Sequence, residues 1–117
     1  QEQLRVLQLT HFRVNELGDV QTLPPVHGGL SDFGAAVIRR CEALGIVVDV
    51  AHGSEALVRR AVEVASKPIV LSHAALAPQG QSGRRFITAD QAKLVASTGG
   101  VIGTFPHGSI YPDLATL

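Results

Sequence analysis

The chain has 117 residues, of which 45% are hydrophobic, so its length and composition suit one small domain that can bury a core. Ten basic and ten acidic residues give a formal net charge of zero, and no run of like charge indicates nucleic acid or an anionic membrane as a partner. No apolar stretch is long enough for a transmembrane segment, and no secretory leader opens the chain. Cys41 is the lone cysteine, which excludes an internal disulfide and leaves the redox compartment, and so the localisation, undetermined.

Short apolar runs alternate with helix-like segments along the chain. The first run, residues 4–10, predicts a strand that ends at His11. Residues 14–29 are rich in Asn, Gly, Asp and Pro, which predicts a long loop of the kind that often covers a substrate. A helix capped by Ser31 and ended by Gly45 follows.

The second half of the chain continues this alternation. Its predicted elements are a strand over 45–51 ending at His52, a helix after the Ser54 cap to about Ala65, a strand over 68–72 ending at His73, a loop over 74–83, a helix from the Thr88 and Gln91 capping box to about Ser97, and a strand over 101–105. Strands separated by helices predict an α/β fold with a parallel sheet, in either a barrel or an open doubly wound form.

The chain starts at Gln1 and contains no methionine, which suggests a piece of a longer protein. A complete (β/α)8 TIM-type barrel needs about 250 residues, so we expect at most half of one, with about four consecutive βα units in a single segment over 1–117. The outer strands of such a piece would expose unpaired edges and apolar surface. We therefore expect it to pack against missing barrel residues or to form a homo-oligomer.

His52 and His73 close two successive apolar runs, with one helix-length stretch between them. The carboxyl ends of parallel strands open onto one face, so we expect the two imidazoles to lie side by side. His52 shares strand parity with Val48 and Val50, and His73 shares it with Leu71, which predicts that each imidazole continues a barrel-facing row. Imidazoles at such a place are candidate metal ligands.

Several stretches together resemble the membrane (renal) dipeptidases, which are binuclear zinc peptidases of the amidohydrolase-like barrel class. The stretches are Leu9-Thr-His11 followed by Asn15, Gly28 to Gly34, Leu44 to Ser54, Pro68 to His73, Arg85 to Thr88, and Gly99 to Gly103. The step of 21 residues from His52 to His73 matches the interval between the two histidines that hold one zinc ion in that family. The resemblance covers nearly the whole chain.

The resemblance implies a role for each matching residue. His52 and His73 would ligate the second of two Zn²⁺ ions. His11 would be the catalytic, substrate-binding histidine that donates a hydrogen bond to the carbonyl oxygen. Arg85 would bind the substrate carboxylate, with Arg84 as the competitor because this loop is one residue longer than the family's usual spacing.

The resemblance further implies a zinc-dependent, dipeptidase-like hydrolase that cleaves the amide bond of dipeptides or related small substrates through a metal-bound hydroxide. The family's His-x-Asp pair, bridging glutamate and late catalytic aspartate have no counterpart in these residues. The contexts Ala-His52-Gly and Ser-His73-Ala, and Phe86 in place of a common asparagine, depart from the family. Two alternatives therefore stay open: a noncatalytic binding or assembly protein with this scaffold, and a metal hydrolase acting on a lactone or cyclic amide.

Other polar residues are given structural roles. Asp49 has the opposite strand parity to His52, which predicts a buried structural hydrogen bond. Asp19 and Asp32 are interpreted as turn and helix-start residues. His27 is assigned to a loop, and His107 is either an exposed turn residue or part of the same active-site mouth.

Overall fold

The computed structural model describes residues 3–77, 86–105, 113 and 115, and it shows an α/β structure with parallel strands. The elements are β1 (Val6–Gln8), α1 (Asp32–Ala43), β2 (Val47–Asp49), α2 (Glu55–Val64), β3 (Val70–Leu76), β4 (Phe86–Ile87), α3 (Ala89–Ser97) and β5 (Val101–Thr104). Strand β2 lies between β1 and β3, and β3 pairs with both β4 and β5. The predicted alternation of strands and helices in a parallel sheet is therefore confirmed.

The helices begin at the residues that the sequence predicts. Ser31, Ser54 and Thr88 are the N-caps of α1, α2 and α3, and each side chain accepts a hydrogen bond from a backbone N–H of the first turn. Thr88 and Gln91 form the reciprocal capping box. These bonds satisfy amide groups that have no partner within the helix, which fixes where each helix starts.

Two strand predictions need correction. Strand β3 does not end at His73 but continues to Leu76, so the predicted loop over 74–83 begins later than expected. The short strand β4 is also new, and it pairs its Phe86 and Ile87 with the last two residues of β3. The pairing with β4 supplies hydrogen-bond partners to this extension, a long-range contact that leaves no local sequence signal.

The two faces of the sheet have different surroundings. Leu9, Val48 and Leu71 are buried in one core with the helix residues Ile38 and Leu57. Neighbouring strand residues that point to the opposite face include exposed valines, among them Val6 (48% exposed), Val47 (39%) and Val101 (66%). The helices therefore cover one face of the sheet and leave apolar side chains of the other face in contact with solvent.

No helix among the described residues has the length and apolar character needed to cross a bilayer.

Candidate metal-binding site

His52 and His73 converge at the carboxyl-end side of the sheet. Their Nε2 atoms lie 2.8 Å apart, and their ring centroids are separated by 4.8 Å in an edge-on arrangement. The predicted convergence of these two imidazoles is therefore confirmed. Two tetrahedral zinc ligands would lie about 3.4 Å apart, so the two nitrogens would have to separate slightly to hold one ion together.

His52 reaches this place through a tight turn beyond β2. The N–H of Gly53 donates to the carbonyl of Val50 at 3.1 Å, which closes a turn with Ala51 and His52 at its centre. His52 has a φ of +64°, a value that L-residues with side chains rarely adopt and that type II turns require at this position. A Cβ at Gly53 would lie 2.7 Å from Cδ2 of Leu57 and 3.1 Å from the Val50 carbonyl oxygen, so glycine lets the turn pack closely against α2.

His73 lies in a β-bulge. Leu71 pairs with Ile102 and Ala74 pairs with Thr104, so Ser72 and His73 together oppose the single residue Gly103. A bulge interrupts the alternation of side chains and turns a side chain away from its regular direction.

The predicted directions of the two imidazoles are wrong. Val48, Val50 and Leu71, whose rows the imidazoles were expected to continue into a barrel, are buried in the core that contains the helices. The imidazoles meet because a turn and a bulge interrupt those rows. The strand-end positions predicted correctly that His52 and His73 lie close together, but the direction in which each side chain points was not predicted correctly.

Asp49 connects β2 to the histidine pair. It is 3% exposed, and its Oδ1 accepts from the N–H groups of Ala51 and Ser72, both at 3.0 Å. Its Oδ2 accepts from the Ser72 hydroxyl at 2.6 Å, and that hydroxyl lies 2.8 Å from Nδ1 of His73. The predicted buried hydrogen bond of Asp49 is confirmed, and it belongs to a continuous chain of contacts that ends at His52.

The long loop before α1 holds the turn that carries His52. Gln21 donates its N–H to the His52 carbonyl at 2.9 Å, and Ser54 donates its N–H to the Asp19 carbonyl at 3.0 Å. The side chain of Asp19, 0% exposed, accepts from the backbone N–H groups of Val26, His27 and Gly29. The loop is therefore organised around one buried carboxylate and braces the turn that carries His52.

The pKa of Asp19 reflects this arrangement. Burial alone raises it, but the backbone N–H donors, together with the charge of His27, outweigh burial and hold the Asp19 pKa below its ordinary value of 3.8. By contrast, burial raises the pKa of the Cys41 thiol, with a further contribution from Glu42, so this side chain is a buried, unreactive member of the core.

His11 and two phenylalanines flank the histidine pair. The His11 ring is exposed, stacks on Phe12 with centroids 3.8 Å apart, and lies 4.7 Å from the His52 ring. Phe105 lies on the other side, with its ring centroid 6.2 Å from that of His73. Three of the predicted histidines are thus brought together within an aromatic surround.

The other predicted residues have different outcomes. Arg84, Arg85 and His107 lie outside the described residues. His27 is an exposed loop residue, and Asp32 lies in the first turn of α1, as predicted for both.

The donor set fits part of a zinc site. Two imidazole nitrogens facing one point are typical zinc ligands, and the serine contact of His73 is the kind of outer interaction that orients such a ligand. Within the described part of the chain, no group of three or more His, Cys, Asp or Glu side chains is placed to hold a metal ion. The pair would therefore need further ligands from beyond these residues.

Ser72, Phe12 and Phe105 lie beside the histidines but were not predicted from the sequence as part of the site. Ser72 precedes His73 directly, and in a regular strand successive side chains point to opposite faces, so the pattern argued against their contact. Phe12 follows the end of the first predicted strand and Phe105 is the last residue of the final one, which was the available signal that they lie at the same mouth.

Comparison with protein families gives one match over nearly the entire chain. The model described as "Membrane dipeptidase (Peptidase family M19)" matches residues 1–112. Dipeptidase aclJ of Aspergillus oryzae is 30% identical over 114 residues, which cover 94% of this chain and 25% of that protein. Dipeptidase 3 of Homo sapiens is 38% identical over 47 residues, which cover 40% of this chain and 10% of that protein. The chain thus spans a quarter or less of these relatives.

Solved structures agree in fold. The probable dipeptidase PvdM from Pseudomonas aeruginosa matches with a TM-score of 0.78 at 25% identity, over 86% of this chain and 26% of that chain. A metallo peptidase from Rhodobacter sphaeroides, liganded with a phosphinate mimic of the dipeptide L-Ala-D-Ala, matches with a TM-score of 0.72 at 21% identity, over 86% and 30% of the two chains.

Proposed function

Because the chain belongs to the membrane dipeptidase family, peptidase family M19, we propose that the protein is a zinc-dependent dipeptidase built on a (β/α)8 barrel. The chain would supply about four consecutive βα units of that barrel. Strands β1, β2, β3 and β5 are parallel neighbours in chain order, and the helices between them cover one face of the sheet, which supports this part of the proposal.

The observation that carries the proposal is the 2.8 Å approach of the Nε2 atoms of His52 and His73. We propose that these nitrogens hold one of two zinc ions, with the remaining ligands supplied by residues outside this chain. Bound zinc lowers the pKa of a water molecule and polarises a carbonyl group, which is the chemistry that amide hydrolysis needs.

The substrate is proposed to be a dipeptide or a related small amide with a free carboxylate. His11, exposed beside His52, donates a hydrogen bond to the carbonyl oxygen as negative charge develops there. Arg85 binds the carboxylate, with Arg84 as the alternative. The dipeptide mimic bound to the Rhodobacter sphaeroides neighbour supports a substrate of this size.

The test uses the complete protein that contains this chain, because the chain covers a quarter or less of the relatives' length. Purified protein is assayed for zinc content and for release of amino acids from a panel of dipeptides, including dipeptides with a D-residue at the carboxyl end. The double variant His52→Ala with His73→Ala is expected to lose the zinc ion that this pair holds, one of the two, and to lower kcat/KM by at least about 10³-fold, since the metal activates the attacking water.

His27→Ala is the matched control, because it removes one exposed imidazole of the loop, and it should retain zinc and activity. Unchanged zinc content in the double variant would show that the proposed ligands are wrong and would favour a noncatalytic role. If the zinc-loaded protein left every dipeptide intact but opened a lactone or cyclic amide, the proposed metal site would stand and the proposed dipeptide substrate would be wrong.

A further inference from the structure

We propose that Asp49 and Ser72 are positioning residues that fix the tautomer of His73, so that its Nε2 atom presents a lone pair to the metal. This inference rests on the proposed metal site, but it concerns a property of the metal-free protein. Asp49 Oδ2, Ser72 Oγ and His73 Nδ1 form a chain with successive distances of 2.6 and 2.8 Å.

The direction of this chain follows from the number of protons available. The Ser72 hydroxyl has one proton, which it donates to the carboxylate oxygen of Asp49. Its oxygen can then only accept from the His73 ring, so the ring carries its proton on Nδ1. Nε2 of His73 is left unprotonated, and it is this atom that faces Nε2 of His52.

The same arrangement explains the short contact between the two rings. With Nε2 of His73 as acceptor, Nε2 of His52 donates its proton across the 2.8 Å gap in the metal-free protein. Each group thus donates toward Asp49, and hydrogen bonds aligned in one direction strengthen each other. A bound metal ion would replace the His52 proton, which would be released to solvent, and the tautomer of His73 would stay the same.

The β-bulge makes the contact between neighbouring residues achievable. Ser72 and His73 both oppose Gly103, so their side chains need not point to opposite faces. The absence of a side chain at Gly103 permits this close packing, because a Cβ there would lie 2.1 Å from the Ser72 carbonyl oxygen.

The structural and positioning roles of Asp49 use different oxygens. Oδ1 accepts the backbone N–H groups of Ala51 and Ser72, whereas Oδ2 accepts the Ser72 hydroxyl. In Asp49→Asn, the amide oxygen can keep the two backbone bonds while the amide nitrogen replaces Oδ2. That nitrogen is a donor, so the Ser72 hydroxyl must now donate to Nδ1 of His73, which moves the ring proton to Nε2.

The experiment determines the His73 tautomer in the metal-free complete protein labelled with ¹⁵N-histidine, with His73→Gln used to assign its resonances. We expect the Nδ1-protonated form in the parent protein and the Nε2-protonated form in Asp49→Asn. Zinc affinity, measured by chelator competition, should fall about 10- to 100-fold in Asp49→Asn and in Ser72→Ala, the range typical of lost outer contacts to a ligand. Ser72→Thr, which keeps the hydroxyl, should restore affinity to within about threefold.

An unchanged tautomer in Asp49→Asn, with circular dichroism and melting temperature like those of the parent, would overturn the proposal. So would equal zinc affinity in the Ser72→Ala and Ser72→Thr proteins. The tautomer is measured without metal or substrate, so its result does not depend on peptidase activity. Conversely, a protein with the expected tautomer but no hydrolytic activity would refute the proposed function alone.

Discussion

At the scale of single residues, the site depends on one unusual backbone conformation. His52 has a φ of +64°, which costs a residue with a Cβ about 1–2 kcal/mol relative to ordinary backbone. The cost is offset by hydrogen bonds on both sides, from Gln21 to the His52 carbonyl and from Gly53 to the Val50 carbonyl. A side chain held in a strained turn by its neighbours is oriented in advance for the proposed role of metal ligand.

Asp19 is the residue on which this bracing depends, and its replacement should destabilise the fold. In Asp19→Asn, one side-chain oxygen is replaced by an NH₂ group that faces backbone N–H donors, and the charge is lost. We expect the free energy of unfolding of the complete protein to fall by about 1.5–3 kcal/mol, the scale of a hydrogen bond to a charged group. Denaturant titration at pH 7 measures this loss.

The stabilising contribution of the Asp19 carboxylate should decrease at low pH. Because the folded-state pKa of Asp19 lies below 3.8, its contribution is present above the unfolded value and is lost as pH falls through the folded pKa. The difference in stability between parent and Asp19→Asn should therefore shrink below about pH 4. Asp32→Asn, at an exposed carboxylate, should change stability by less than about 0.5 kcal/mol, and a comparable loss there would contradict the role of Asp19.

At the scale of elements, the sequence predicted the helices better than the strands. Ser31, Ser54 and the Thr88 capping box mark helix starts through contacts within four residues, so the signal is local. The end of β3 and the existence of β4 depend on pairing between residues more than ten positions apart. Such pairing is set by tertiary contacts that the local pattern does not encode.

In the candidate site, too, some features had a local sequence signal and others depended on tertiary structure. The strand-end positions of His52 and His73 were visible in the sequence and predicted their approach. The turn and the bulge that aim the rings were not visible, because one requires a positive φ at a histidine and the other an extra residue opposite Gly103. Ser72 was missed as a partner of His73 for that reason.

Gly103→Ala tests whether the bulge positions His73. The added Cβ would lie 2.1 Å from the Ser72 carbonyl oxygen, so β5 must move relative to β3 at the bulge. We expect the complete protein to lose about 1–3 kcal/mol of stability, as in other overpacked sites. Zinc affinity should fall at least about tenfold, because the shift displaces the supporting contacts of His73.

Thr104→Val is the control for Gly103→Ala, since it changes an exposed side chain of nearly equal volume one residue further along β5. It should leave zinc affinity and stability within about 0.5 kcal/mol of the parent. Denaturant titration and chelator competition on both variants give the comparison. Parent-like zinc affinity in Gly103→Ala would show that the close approach of β5 is not needed to position His73.

At the scale of the whole molecule, the sheet is covered by helices on one side only. Val6, Val47 and Val101 on the opposite side are 48%, 39% and 66% exposed. The buried Asp49 lies on the same face, two residues after Val47, and it pairs with Val70, the cross-strand partner of Val101. This apolar surface therefore adjoins the residues that support the candidate site. A contiguous apolar sheet face in contact with water favours association.

We therefore predict that the isolated 117-residue polypeptide self-associates through this face, as expected for a part of the proposed barrel. Sedimentation velocity over a range of concentrations should show species larger than a monomer. Val47→Thr combined with Val101→Thr should shift the distribution toward monomer, because hydroxyls on the sheet face make its burial between copies less favourable. Leu44→Thr, at an equally exposed apolar residue after α1, should leave association unchanged. A polypeptide that stays monomeric at every concentration, or an equal response to Leu44→Thr, would show that the sheet face does not drive association.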